Sequence, residues 1–180
     1  MKRFLERLNI DFGKFNLTDE DFKIDSDIHG IGHVYRVMFN TLLLGNQLDD
    51  VKNTKNSFYA AFIHDLSRRH DGHCELHGGF SVDENFDKYK HLFVDGNFDD
   101  IKMACIRHSL SNELPKEHKS YKSTAILKDA DALDRVRLSE LDIKFLRFKE
   151  SHDLIKISED LFFNYKNYDS FEDFLYNNLD

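Results

Sequence analysis

Proline occurs once in this chain of 180 residues, at Pro115, and glycine only 8 times. Sandwiches and barrels need turn residues at short intervals, so this scarcity disfavours a fold built on many tight turns. Cysteine is nearly missing too: Cys74 and Cys105 are the 2 present, and no C-x-x-C pair exists. Neither a disulfide framework nor a thiolate zinc site is supported, and the expectation is two reduced thiols in a cytoplasmic protein.

Long apolar runs are also lacking. The opening MKRFLERLNIDF interleaves charges with apolar residues, unlike a signal peptide, and no later run approaches membrane-spanning length. A soluble, unprocessed protein with no membrane partner is expected. Positive charge is in deficit, with 25 Lys and Arg against 33 Asp and Glu and a formal net charge of -8. Binders of long nucleic acid usually carry a positive footprint, so that partner class is set aside. A small anionic substrate remains compatible with basic residues gathered locally.

What is present is helical patterning. Apolar residues recur at helical spacing in most segments, and the length suits one domain over residues 1–180 with an all-α fold. The pattern predicts a helix near 2–9, and a long one capped by Asp27 and running through IHGIGHVYRVMFNTLLLGNQL. A third covers 55–66, and a fourth restarts near His77 or Gly79 after the turn RRHDGH. A fifth is capped by Asn97 or Asp99, a sixth opens at Ser123 or Thr124 with TAILKDADALDRVRLSEL, and two more close the chain. The aromatic stretch LFFNYKNYDSFEDFLY is expected to cover the core, with a dimer contact as the alternative.

Ionisable residues stand on these apolar faces. In AAFIHDLSRRHDGH, Asp65 follows Phe58, Ala61 and Phe62 at helical spacing, with His64 beside it. His29 and His33 are four apart and can share one side of their helix, and Ile101, Ala104, Cys105 and His108 turn His108 inward. Within KDADALD, Asp129 and Asp131 diverge by about 200° around a helix, so they do not easily serve one centre. Spacing leaves open which of them does. A lone inward histidine is commonly a hydrogen-bonded core residue. Several together call for a common partner, and a divalent metal takes imidazole nitrogens and carboxylate oxygens from facing helices of a bundle.

The order His33 in GIGHVYRV, His64 and Asp65 in FIHDLSRR, and Asp131 in DADALDRV resembles the HD superfamily of metal-dependent phosphohydrolases. A closer resemblance, over about residues 25–150, is to small bacterial HD-domain proteins of largely unassigned activity. The resemblance implies an HD-domain-like helical bundle with the metal site in its core, and selects Asp131 over Asp129. It also implies His77 in HGGFS and His108 in CIRHS as ligands of a second metal position. The cofactor implied is one or two divalent transition ions: Mn, Fe, Co, Ni or Zn. The activity implied is hydrolysis of a small phosphorylated molecule, most plausibly a nucleotide. Arg68, Arg69, Arg135 and Arg137 are then candidates for holding the phosphate, and Asp71 or Asp134 for orienting water or a ligand histidine. Some HD proteins are di-iron oxygenases, and a regulatory module that keeps its metal for folding or ligand sensing is a further alternative. The sequence leaves oligomeric state open.

Overall fold

A computed structural model describes residues 1–179. Among these the chain forms nine α-helices, joined by loops and short 3-10 turns, and no strand. The helices are α1 (Lys2–Leu8), α2 (Ile31–Leu48), α3 (Val51–Ile63), α4 (His77–Tyr89), α5 (Phe98–His108), α6 (Tyr121–Leu133), α7 (Lys149–His152), α8 (Ile155–Phe163) and α9 (Phe171–Asn177). None of the described helices is long and apolar enough to cross a membrane.

Helix α3 is the hub, in contact with α1, α2, α4, α5 and α6. Every residue from Thr54 to Ile63 is buried, including polar ones, because Thr54 and Ser57 return their hydroxyls to the Asp50 and Asn53 carbonyls. The connection from α2 is short: Asp49 takes a left-handed conformation at φ 50°, and Asp50 accepts the Asn53 backbone N–H as the cap of α3. That brevity lays α2 and α3 side by side. Helices α5 and α6 complete the bundle, and Phe171, Phe174 and Leu175 of α9 pack into the same core against Phe12, Tyr35 and Phe58. The aromatic terminus does cover the core.

Several expected boundaries move. Asp27 does not cap α2; Gly30 stands there, because the Ser26 hydroxyl accepts the Ile28 and His29 N–H groups and holds 27–29 in a separate turn. A Cβ at Gly30 would lie 2.7 Å from the Ser26 carbonyl oxygen, so this close approach requires glycine. His29 therefore precedes α2 instead of extending it. Helix α3 stops at Ile63, leaving His64 and Asp65 in the turn beyond, and begins at Val51 because Asp50 caps it. Helix α6 starts at Tyr121 and tightens at Asp134–Leu138 into a 3-10 turn that ends at left-handed Ser139. Three short helices close the chain where two were expected.

Candidate metal centre

Six side chains meet where helices end. His33 lies in the first turn of α2, His64 and Asp65 follow α3, His77 opens α4, His108 closes α5, and Asp131 lies in the last turn of α6. The carboxyl ends of three helices thus lie at the site, and such ends favour positive charge. His33, His64, Asp65, His77 and His108 are buried, and Asp131 is partly open.

Asp65 stands between two imidazole pairs. Its Oδ2 lies 3.4 Å from His33 Nε2 and 3.8 Å from His64 Nε2, while Oδ1 lies 3.1 Å from His77 Nε2 and 3.5 Å from His108 Nε2. Asp131 Oδ1 is 3.5 Å from His33 Nε2. Two overlapping triads, His33–His64–Asp131 and His64–Asp65–His108, hold their ligand atoms within 4.8 Å of one another, a spacing at which a metal ion can be held.

The far nitrogens settle the tautomers. Nδ1 of His64, His77 and His108 lies 2.7, 2.5 and 2.5 Å from the carbonyls of Ala61, Cys74 and Cys105. A carbonyl only accepts, so each Nδ1 carries the proton. His33 Nδ1 likewise donates to Asp134 Oδ2 at 2.8 Å. All four Nε2 atoms then face inward, in pairs 3.2 Å apart (His33 and His64) and 2.8 Å apart (His77 and His108). Opposed lone pairs at such distances need a proton or a cation between them. Burial lowers the His64 pKa to about 3 and also depresses that of His77, so protonation is a costly remedy.

The carboxylates fit the same reading. Burial opposes ionisation of Asp65, and its carboxyl is held well below the ordinary range only by positive charge or N–H donation from His64 and the other imidazoles around it. The ionised carboxylate too therefore calls for a cation or proton in their midst. Asp131 is held at about 2 against the same burial cost by His33, His64 and His108. Asp65 Oδ1 is buried with no hydrogen-bond partner. An anionic oxygen without a hydrogen-bond partner amid four imidazole nitrogens is a donor set that could hold a metal ion.

Behind the ligand set, Asp134 is fully buried and accepts from His33 Nδ1, from Arg36 Nε and Nη2 at 2.5 and 3.0 Å, and from Arg137 Nη1 at 3.3 Å. It fixes the orientation of the His33 ring. Asp71 accepts from His29 Nδ1 at 2.9 Å and from the Ser26 hydroxyl, so its partner is His29 and none of the six. Asp129 is buried elsewhere, accepting from the Arg147 and Phe148 backbone N–H groups and the Ser151 hydroxyl. The two aspartates do diverge, and it is Asp131 that faces the histidines.

A cavity of about 710 Å³ opens over Asp65 and Asp131 and is lined by Arg68, Arg135 and Arg137, among others. Arg69 is not brought to it. Its guanidinium pairs with Glu84 at 2.6 Å and lies over the Phe80 ring, and it is not among the residues that line the cavity. Arg137 is committed to the Ile28 carbonyl and to Asp134, and Arg135 makes an exposed pair with Glu140 at 2.6 Å. Arg68 Nη1 lies 3.2 Å from His77 Nε2 and 3.6 Å from Asp65 Oδ1, its Nη2 donates to the Gly72 carbonyl at 2.9 Å, and its buried Nε has no partner. Sequence reasoning missed Arg36, Lys128 and Arg147. All three had a signal: Arg36 and Lys128 stand three residues from His33 and from Asp131, and Arg147 ends the FLR tripeptide that follows the Asp131 block. Comparison of the chain with family models, with curated proteins and with solved structures found no match.

Proposed function

We propose that this chain is a metal-dependent phosphohydrolase of the HD type, acting on a small phosphorylated molecule such as a nucleotide. One observation carries the reading: four buried imidazoles, each with Nδ1 tied back, aim Nε2 at the Asp65 carboxylate, whose Oδ1 is unsatisfied. His33, His64, Asp65, His77, His108 and Asp131 would hold one or two divalent transition ions, with Asp65 between the imidazole pairs. When bound, such ions polarise a phosphoryl oxygen and lower the pKa of water toward neutrality.

The chain's own groups do the rest. Arg68, buried beside Asp65, offers its guanidinium to a phosphoryl oxygen. Asp134, anchored by Arg36, keeps the His33 proton on Nδ1 and its lone pair on Nε2. His29, in the cavity wall, holds its Nδ1 proton against Asp71, which leaves Nε2 as the atom that receives a proton.

The first test is elemental mass spectrometry of tag-free protein purified without chelator, followed by phosphate release from nucleotides and sugar phosphates. One or two equivalents of metal with chelator-sensitive phosphate release are expected. No metal after incubation with divalent ions would overturn the reading. A carboxylate between two imidazole pairs also suits a di-iron oxygenase, so two equivalents of iron with oxygen consumption and no phosphate release would transfer the assignment to that chemistry.

A further inference from the structure

We propose a second anion subsite in the same cavity, made by Lys128 and Arg147 and occupied in the resting chain by the Glu113 carboxylate. The ligand it fits carries two oxyanions, one at the His/Asp centre and one about a helical turn away. The subsite stands on its own contacts; only the naming of its ligand as substrate rests on the phosphohydrolase reading.

Lys128 and Asp131 are three apart in α6 and both line the cavity, which separates them by about 4.5 Å along the helix axis. Lys128 is a buried lysine, donating to the Leu110 carbonyl at 2.8 Å and to Glu113 Oε1 at 2.9 Å. Arg147 enters from the other wall and grips the same carboxylate through Nη2 at 2.6 Å and Nε at 3.1 Å, while its Nη1 is fixed on Asp129 at 3.0 Å. A buried lysine and a half-buried arginine are therefore already aimed at one oxyanion position. The forked grip of Arg147 is the one a carboxylate or phosphate ligand receives.

The occupant differs from its hosts. Glu113 is exposed and sits on the loop between α5 and α6, and among the described residues its carboxylate is bonded by Lys128 and Arg147 alone. Asp129, by contrast, is buried and held by backbone as well as side-chain donors. Moving Glu113 into solvent costs the loop those contacts and exposes no core residue, whereas an incoming oxyanion regains them in place. The pair of cations keeps its compensation in both states, which is the condition for leaving Lys128 buried.

Calorimetric titration with pyrophosphate and with malonate, of metal-free protein and of protein incubated with a divalent ion, tests this. Glu113→Gln removes the competing charge and is expected to tighten pyrophosphate by about tenfold, and Lys128→Met to weaken it by about the same factor. Tightening of pyrophosphate alone assigns a second phosphoryl group, and tightening of malonate as well assigns any second oxyanion. If Glu113→Gln lowers the melting temperature and leaves both affinities unchanged, the three residues are a structural clasp and the proposal fails. Should Lys128→Met not fold, the Glu113→Gln titration decides by itself. Because the readout is binding and not turnover, an inactive enzyme that passes this test loses the phosphohydrolase reading and keeps the subsite.

Discussion

His33 and Asp134, 101 residues apart in the chain, meet at 2.8 Å, and the carboxylate that takes the His33 proton is clamped by Arg36 through two nitrogens. Arg36 in turn lies between the rings of Phe162 and Tyr165, 5.3 Å from each centroid. Removing Arg36 leaves Asp134 with only the longer Arg137 contact and guides the His33 ring less firmly. Arg36→Met is expected to weaken metal binding by about 10–100-fold, read by competition with a chromogenic chelator, with Arg36→Lys in between. Equal affinities in all three proteins would show that the clamp does not act on the centre.

Asp65→Ala is expected to abolish metal binding, since it removes the carboxylate that both imidazole pairs face. Unchanged metal content would rule out the assignment. Asp129→Ala should keep the metal and lose about 3–5 kcal/mol in urea unfolding, because Arg147 and two backbone N–H groups lose their acceptor.

Acid should destabilise the fold at His29. Burial lowers its pKa from 6.5 to about 4, in spite of the Asp65 and Asp71 charges nearby. Between those values the unfolded chain takes up a proton that the folded chain refuses, so stability is present above about pH 6.5 and falls as pH drops toward 4. Urea midpoints measured across that window should fall less steeply in His29→Gln than in the parent. Parallel slopes would contradict the burial argument.

Adjacent glycines should behave oppositely. A Cβ on Gly78 would lie 2.2 Å from the Cys105 carbonyl oxygen and 3.1 Å from His108 Nδ1, so Gly78→Ala forces α4 off α5. A loss of about 1–3 kcal/mol is expected, along with weaker metal binding. At Gly79 a Cβ meets nothing within 4 Å, and Gly79→Ala should gain about 0.5–1 kcal/mol of helix stability. Thermal melts of the two variants give the comparison.

Helical periodicity was legible from side chains that repeat along one segment. Ile101, Ala104, Cys105 and His108 are all buried as their spacing requires, and Asp129 and Asp131 point to different surroundings as their 200° separation demands. The same logic erred at His29, where the Ser26 hydroxyl satisfied N–H groups that a longer helix would have used. Side-chain competition for the backbone is local, yet nothing in the period of the apolar residues announces it.

By itself the sequence determined an all-α chain with inward histidines and carboxylates, because propensity and periodicity act over a few neighbouring residues. Only the tertiary structure decided that five helices end together, that Asp131 joins the histidines while Asp129 ties down residues 147–151, and that Arg68 lines the cavity while Arg69 leaves it. The direction of each imidazole lone pair belongs to this second kind of knowledge. For His33 it is set by an acceptor 101 positions away, reached through packing that no local pattern encodes.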